Sequence, residues 1–142
     1  MSIRRLIAWV MLAAVLSVAG VARAAVDDAA IFINQLGIQA IEERVMPLAR
    51  GLVEGLATQG LAPAVPSDSP ELSHLVTFGE LDAGGHGFST DPMITPVSEY
   101  LAKAKIAHTI RRGQLRFAIH AYNNEEDIEH AVECVGEAIK SL

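Results

Sequence analysis

Gly113-Gln-Leu-Arg-Phe-Ala-Ile-His-Ala-Tyr-Asn-Asn-Glu-Glu-Asp-Ile128 is the stretch on which the fold turns. Within it Leu115, Phe117 and Ile119 alternate with Arg116, Ala118 and His120. Period-two alternation sends the apolar trio to one face of a strand and Arg116 with His120 to the other. A cation and an imidazole are thereby expected on one surface. Asn124 then opens a helix, with Asp127 placed to complete its first turn as the acidic partner. The helix that follows carries Ile128, Ala131, Val132, Val135, Ala138 and Ile139 on one face. This is the spacing of a helix packed on a sheet.

Working back from this stretch, Lys105–Ile110 and Gln114–His120 read as two strands joined at Arg111-Arg112-Gly113 in an antiparallel hairpin. Pro96 to about Lys103 reads as a helix, with Thr95 as its cap and Pro96 in the first turn. Asp82–Asp91 is glycine-rich and reads as a flexible connector, and Leu75–Leu81 as a further strand. Gly60–Pro70, with its three prolines, is a loop. Ile38, Ile41, Val45, Leu48, Leu52 and Leu56 form a helical stripe that Pro47 is expected to kink. A short helix from Asp27 to about Leu36 ends at Gly37. The fold class expected is α/β in the α+β sense: a two-layer small domain with a mainly antiparallel sheet, helices on one face, and an N-terminal apolar helix ahead of it.

The stretch around Arg116 also resembles the C-terminal end of the class V aminotransferase family, which includes cysteine desulfurases and isopenicillin N epimerase-like enzymes. The residues that carry the likeness are Arg116, Ala118, His120, Tyr122, Asn123 and Asn124, followed by Glu125, Glu126 and Asp127. Asn124 stands where that family usually has threonine, and both residues cap helices. The likeness continues through Ile106–Arg116, Leu75–Phe78 and Phe32–Arg44, so it runs from about Ala25 to Leu142. It implies the small domain of a fold-type I enzyme dependent on pyridoxal phosphate.

In that family the phosphate cup, the cofactor's aspartate and the Schiff-base lysine lie in a large domain preceding this region. None of Lys103, Lys105 and Lys140 stands where the catalytic lysine would fall. The resemblance therefore implies a truncated form, inactive alone, in which no residue of this chain is catalytic and none binds the cofactor. A separate cofactor-domain chain, or a homodimer, is the implied partner. Desulfurase chemistry is not expected, because the loop that should bear the nucleophilic cysteine is a short Arg-Arg-Gly turn here, and Cys134 lies in the last helix. The alternative function is an exported or membrane-tethered, non-enzymatic binding or interaction domain. Whether the chain is an enzyme is left open between the two.

By the resemblance, Arg116 would bind the carboxylate of an amino or keto acid, since a guanidinium matches a carboxylate bidentately. The bland counterpart is a surface arginine paired with a glutamate. His120 would assist at the same face or serve as a hydrogen-bonded structural histidine. Tyr122 and Asn123 are expected to fix the strand-to-helix turn through side-chain bonds to backbone, with Asn124 as the cap. His108, between Ile106 and Ile110, is expected to be a partly buried core histidine.

Other chemistries find little support. Five histidines offer no pair at metal-ligand spacing on one helix, so no metal site is expected. Gly84-Gly-His-Gly87 lacks the helix start and spacing of a phosphate cradle. A net charge of -6 with no basic cluster excludes nucleic acid as a natural partner. The single cysteine allows no internal disulfide and is read as an inert small hydrophobe.

Residues 1–24 point elsewhere. Met1-Ser-Ile-Arg-Arg5 is a positive opening, Leu6–Ala22 is apolar, and Ala22-Arg-Ala24 matches an A-x-A cleavage site. Together they read as a secretory signal peptide or, uncleaved, as a membrane anchor. Two domains follow from this: 1–24 as signal or anchor and 25–142 as the small domain. Periplasmic, secreted or membrane-anchored localisation is expected, with contact to the membrane only if the segment stays uncleaved. The alternative is a cytoplasmic chain in which this run belongs to a helix of the family.

Overall fold

Arg112 and Gly113 set the centre of the fold, because both adopt positive φ (51° and 82°). Two successive residues in that region make the tight turn whose twist matches antiparallel strands. In the computed structural model, which describes residues 31, 33–82 and 86–142, this turn joins β2 (Thr109–Arg111) to β3 (Gln114–Ala118). β1 (Leu75–Phe78) pairs with the other edge of β3, giving a three-stranded sheet in the order β1-β3-β2, antiparallel throughout. The helices are α1 (Ile38–Thr58), α2 (Ile94–Lys103) and α3 (Glu125–Lys140). The α+β class expected from the sequence is the one observed.

Residues Met1–Ile41 and Glu42–Leu142 form two separate compact units. Of the first, residues 33–36 are helical and Gly37 follows at φ 81°, donating its N–H to the Ile33 carbonyl at 3.1 Å. The helix end expected at Gly37 is therefore present. Residues 27–30, and the signal or anchor expected over 1–24, lie outside the described residues. Among the described residues no helix is long and apolar enough to cross a membrane.

The second unit is built on the inner face of the sheet. Val76 pairs with Phe117, and Phe78 with Leu115; all four side chains are buried, as is Ile110 of β2. The Phe78 and Phe117 rings meet edge to face at 6.1 Å, an arrangement their quadrupoles favour. Ile94, Val97 and Leu101 of α2, the helix in contact with β3, are buried; so are Val135 and Ala138 of α3, which packs on α2, and Leu48, Leu52 and Leu56 of α1. Gly55 lets α1 approach α3 closely, since a Cβ there would fall 2.5 Å from Val132 Cγ2.

Several expected boundaries move. The buried part of the α1 stripe begins at Val45, whereas Ile38 is exposed; Pro47 sits inside the helix without ending it. The β2 strand begins at Thr109 rather than Lys105, because Lys105 is taken up in ending α2. At φ 61° it directs its N–H to Ala102 O and that of Ile106 to Leu101 O, at 3.1 and 2.9 Å, the paired bonds of a Schellman motif. Gly60 closes α1 in the same way, through Gly60 N to Ala57 O and Leu61 N to Leu56 O. The Thr95 cap is also corrected. α2 starts at Ile94 with Met93 as N-cap, because Asp91 Oδ1 accepts the Met93 N–H at 2.8 Å and ends the preceding loop earlier.

Residues 83–85, at the heart of the flexible connector expected, lie outside the described residues, and the flanks of that loop are hydrogen-bonded to the hairpin. Asp82 N donates to Arg112 O at 2.9 Å, Thr90 gives both its N–H and its hydroxyl to Asp82 Oδ2, and Ser89 Oγ donates to Gly113 O at 2.6 Å. Gly87 N donates to Ile110 O at 3.0 Å beside an isolated bridge from His86 to Arg111, covering the free edge of β2. On the other side Ala64 N donates to Thr77 O and Gly79 N to Ala62 O, covering the free edge of β1. Covered edges deny the sheet a template for pairing with other chains.

Candidate carboxylate-binding face

On the outer face of the sheet no residue of β1, β2 or β3 is fully buried among the described residues. Thr77, Arg116 and Thr109 form one row across it, since Arg116 pairs with Thr77 on β1 and with Thr109 on β2. Arg116 is half-buried between its neighbours, and its Nε donates to Thr109 Oγ1 at 3.2 Å. No acidic side chain among the described residues accepts from its guanidinium; the ion pair of Arg44 with Glu125 lies elsewhere, between α1 and α3. The arginine expected on this face is therefore held at its root by threonine, and no protein acceptor for its terminal nitrogens is found among the described residues. In water an arginine so placed takes a carboxylate with geometric specificity and modest strength.

His120 is not joined to Arg116 by any hydrogen bond or ring contact. It lies beyond the end of β3, where its ring stacks on Tyr122 with centroids 4.9 Å apart and planes 6° from parallel. Tyr122 is 80% exposed, and it acts at this turn through its ring, where a bond to backbone was expected. Asn123 holds the turn instead. Its Oδ1 accepts the His120 N–H at 2.9 Å, its own N–H reaches His120 O at 3.0 Å, and its Nδ2 donates to Asp127 Oδ2.

Asn124 completes the expected cap. Its Oδ1 accepts from Asp127 N at 2.9 Å, and Asp127 Oδ2 accepts from Asn124 N at 3.1 Å, a reciprocal capping box. The Asn123 side chain, and then the Asn124 N–H, hold the Asp127 carboxyl below its ordinary value. Arg44, given no role by its sequence context, reaches across from α1 to Glu125 Oε1 at 2.8 Å and to the Asn123 carbonyl at 3.0 Å. That guanidinium lowers the Glu125 carboxyl in turn.

Away from this face, His108 is half-buried as expected. Its Nδ1 lies 2.7 Å from Ile106 O and its Nε2 2.7 Å from Ser98 Oγ. Cys134 is buried, and burial pushes its thiol up, reinforced by Glu137 and Glu133; such a thiol is a poor nucleophile. Among the described residues no three histidine, cysteine or acidic side chains are grouped to hold a metal ion.

Compared with protein-family models, curated proteins and solved structures, the chain matches none of them.

Proposed function

We propose that Glu42–Leu142 is the carboxylate-binding part of a two-part site of the class V aminotransferase type, with Arg116 as the residue that takes the carboxylate of an amino or keto acid. One observation carries this: Arg116 is half-buried on the sheet with its Nε spent on Thr109, while its terminal nitrogens have no protein acceptor among the described residues. A solvent-open face gives weak binding, and a second chain laid over it would desolvate and strengthen the pair.

The residues described here do not fit pyridoxal phosphate itself. That cofactor needs a lysine for covalent attachment and a cradle for its phosphate. Lys103 and Lys140 end helices in solvent, Lys105 is exposed in a helix cap, and Gly87 lies along a sheet edge. The cofactor domain would come from another chain, or from a second copy of this one if that copy supplied the groups. This chain's share is binding and orientation.

The test is a titration of the purified chain with an α-amino acid and its 2-oxo analogue, followed by NMR. Saturable shifts near Arg116 that vanish in Arg116→Ala, with the fold intact, support the reading; equal shifts in the variant, or none in either, reduce Arg116 to a surface charge. The alternative is an exported or tethered interaction module. Leu75, Leu81 and Phe88 favour it, since all three are large and exposed. Recovery from the membrane fraction with a bound partner, and no response to amino or keto acids, would select that alternative.

A further inference from the structure

We propose that Ser98 and His108 form a nucleophile–base pair that accepts acyl groups from small activated esters. The chemistry of the pair does not use Arg116 and does not depend on the function proposed for it. Ile106 O can only accept, so His108 Nδ1 must carry the proton in that 2.7 Å contact. The neutral ring then presents Nε2 as the acceptor for the Ser98 hydroxyl, also at 2.7 Å. A hydroxyl, a base within hydrogen-bond reach and a third group fixing the base's tautomer are the three parts that activate a serine.

The pair is set by separate elements. Ser98 belongs to α2, whereas His108 enters β2 directly after the cap at Lys105. The imidazole is further held by the Phe117 ring, whose centroid lies 6.3 Å away. Both side chains are half-buried, reachable yet partly shielded from water. They line a cleft of about 320 Å³ together with His86, Gly87, Thr109 and Ile110. A space of that size suits a short acyl chain with a compact leaving group.

The step balances without any added reagent. Ser98 Oγ bonds to the acyl carbon and its proton passes to His108 Nε2. The bond from that carbon to the leaving oxygen then breaks, and the departing alcohol carries the proton away. Water, deprotonated by the same Nε2, later releases the acid and restores the serine.

The full chain is mixed with p-nitrophenyl acetate, release of nitrophenolate is followed, and the acetylated peptide is located by mass spectrometry. The expected result is acetyl on Ser98, none in Ser98→Ala, and acylation about 100-fold slower in His108→Ala, the lower range for general-base assistance. His74→Ala, an exposed histidine elsewhere, should leave the rate unchanged and so measures the background from surface imidazoles. Acetyl found only on lysines, or a rate unaltered by Ser98→Ala, overturns the proposal. Mapping in the unaltered chain decides the matter even if a variant fails to fold.

Discussion

The two faces of β3 differ in everything but their backbone. On the inner face Leu115, Phe117 and, just past the strand, Ile119 are buried; on the outer face Arg116 is half-buried between Thr77 and Thr109, and Ala118 is exposed opposite Leu75. Side-chain alternation makes the two sets strictly complementary, since a slip of one residue would exchange them. The inner set is thus free to serve stability and the outer set to serve binding. A substitution on one face should leave the other's property nearly untouched.

The largest effect expected is at Leu115, which is fully buried. Leu115→Ala should cost about 3 kcal/mol, the transfer term plus the cavity left behind, measured by urea unfolding. Arg116→Ala should change stability by no more than about 0.5 kcal/mol, as for surface positions without special roles, while removing carboxylate binding. Comparable losses of stability at the two positions would break the division between the faces.

Next comes the turn that fixes the register for both faces. Gly113 stands at φ 82°, and an added Cβ would run into the Asp82 carboxylate. Gly113→Ala should therefore cost about 1–2 kcal/mol in backbone strain alone, with displacement of Asp82 adding to it. Loss of the Asp82 bonds to Thr90 would appear as faster amide exchange over 87–91. An unchanged urea midpoint would mean that the turn does not set the register.

Asn124 marks the exit of β3, and its effect should be smaller. Asn124→Ala removes one side of the capping box and should cost about 1 kcal/mol, read from the same unfolding curves. Asn124→Thr, which keeps a side-chain oxygen able to cap the helix, should recover most of it. Failure of threonine to rescue would show that the cap needs the asparagine side chain itself.

Legibility in the sequence follows the range of the interactions. The hairpin, the inner apolar trio, the capping box and the last helix were readable because each rests on residues within a few positions of one another. Thr95 misled because a Thr-Pro pair is a sound helix start in isolation, whereas Asp91 reaches the Met93 N–H first. Lys105 misled because only the folded backbone shows a lysine doing at the end of α2 what Gly60 does at the end of α1. The bonds that tie the flanks of the glycine-rich loop to the hairpin were not readable, because their acceptors, Arg112 O and Gly113 O, are distant in sequence. Arg116 was legible as an outward cation, but its tie to Thr109 required the strand pairing. The Ser98–His108 contact was not legible at all, since neither helix nor strand period links those positions.

The smallest effect expected is a dependence on pH confined to the exit of β3. Arg44 lowers the Glu125 carboxyl, and Asn123 with Asn124 lowers that of Asp127. A carboxyl lowered by folding stabilises the fold fully above its unfolded value, and that stability is lost as pH falls through the folded value. The urea midpoint should therefore hold steady near neutrality and decline as pH falls into and through the ordinary carboxylate range. Both groups are exposed, so the slope should be shallow, and salt should flatten the share owed to Arg44. Arg44→Met should shrink the decline without moving the neutral baseline far, whereas Leu115→Ala should lower the whole curve and keep its shape. If Arg44→Met left the acid slope unchanged, the contact with Glu125 would not be what couples α1 to the start of α3. Stability that rose on acidification would contradict the lowered carboxyls themselves.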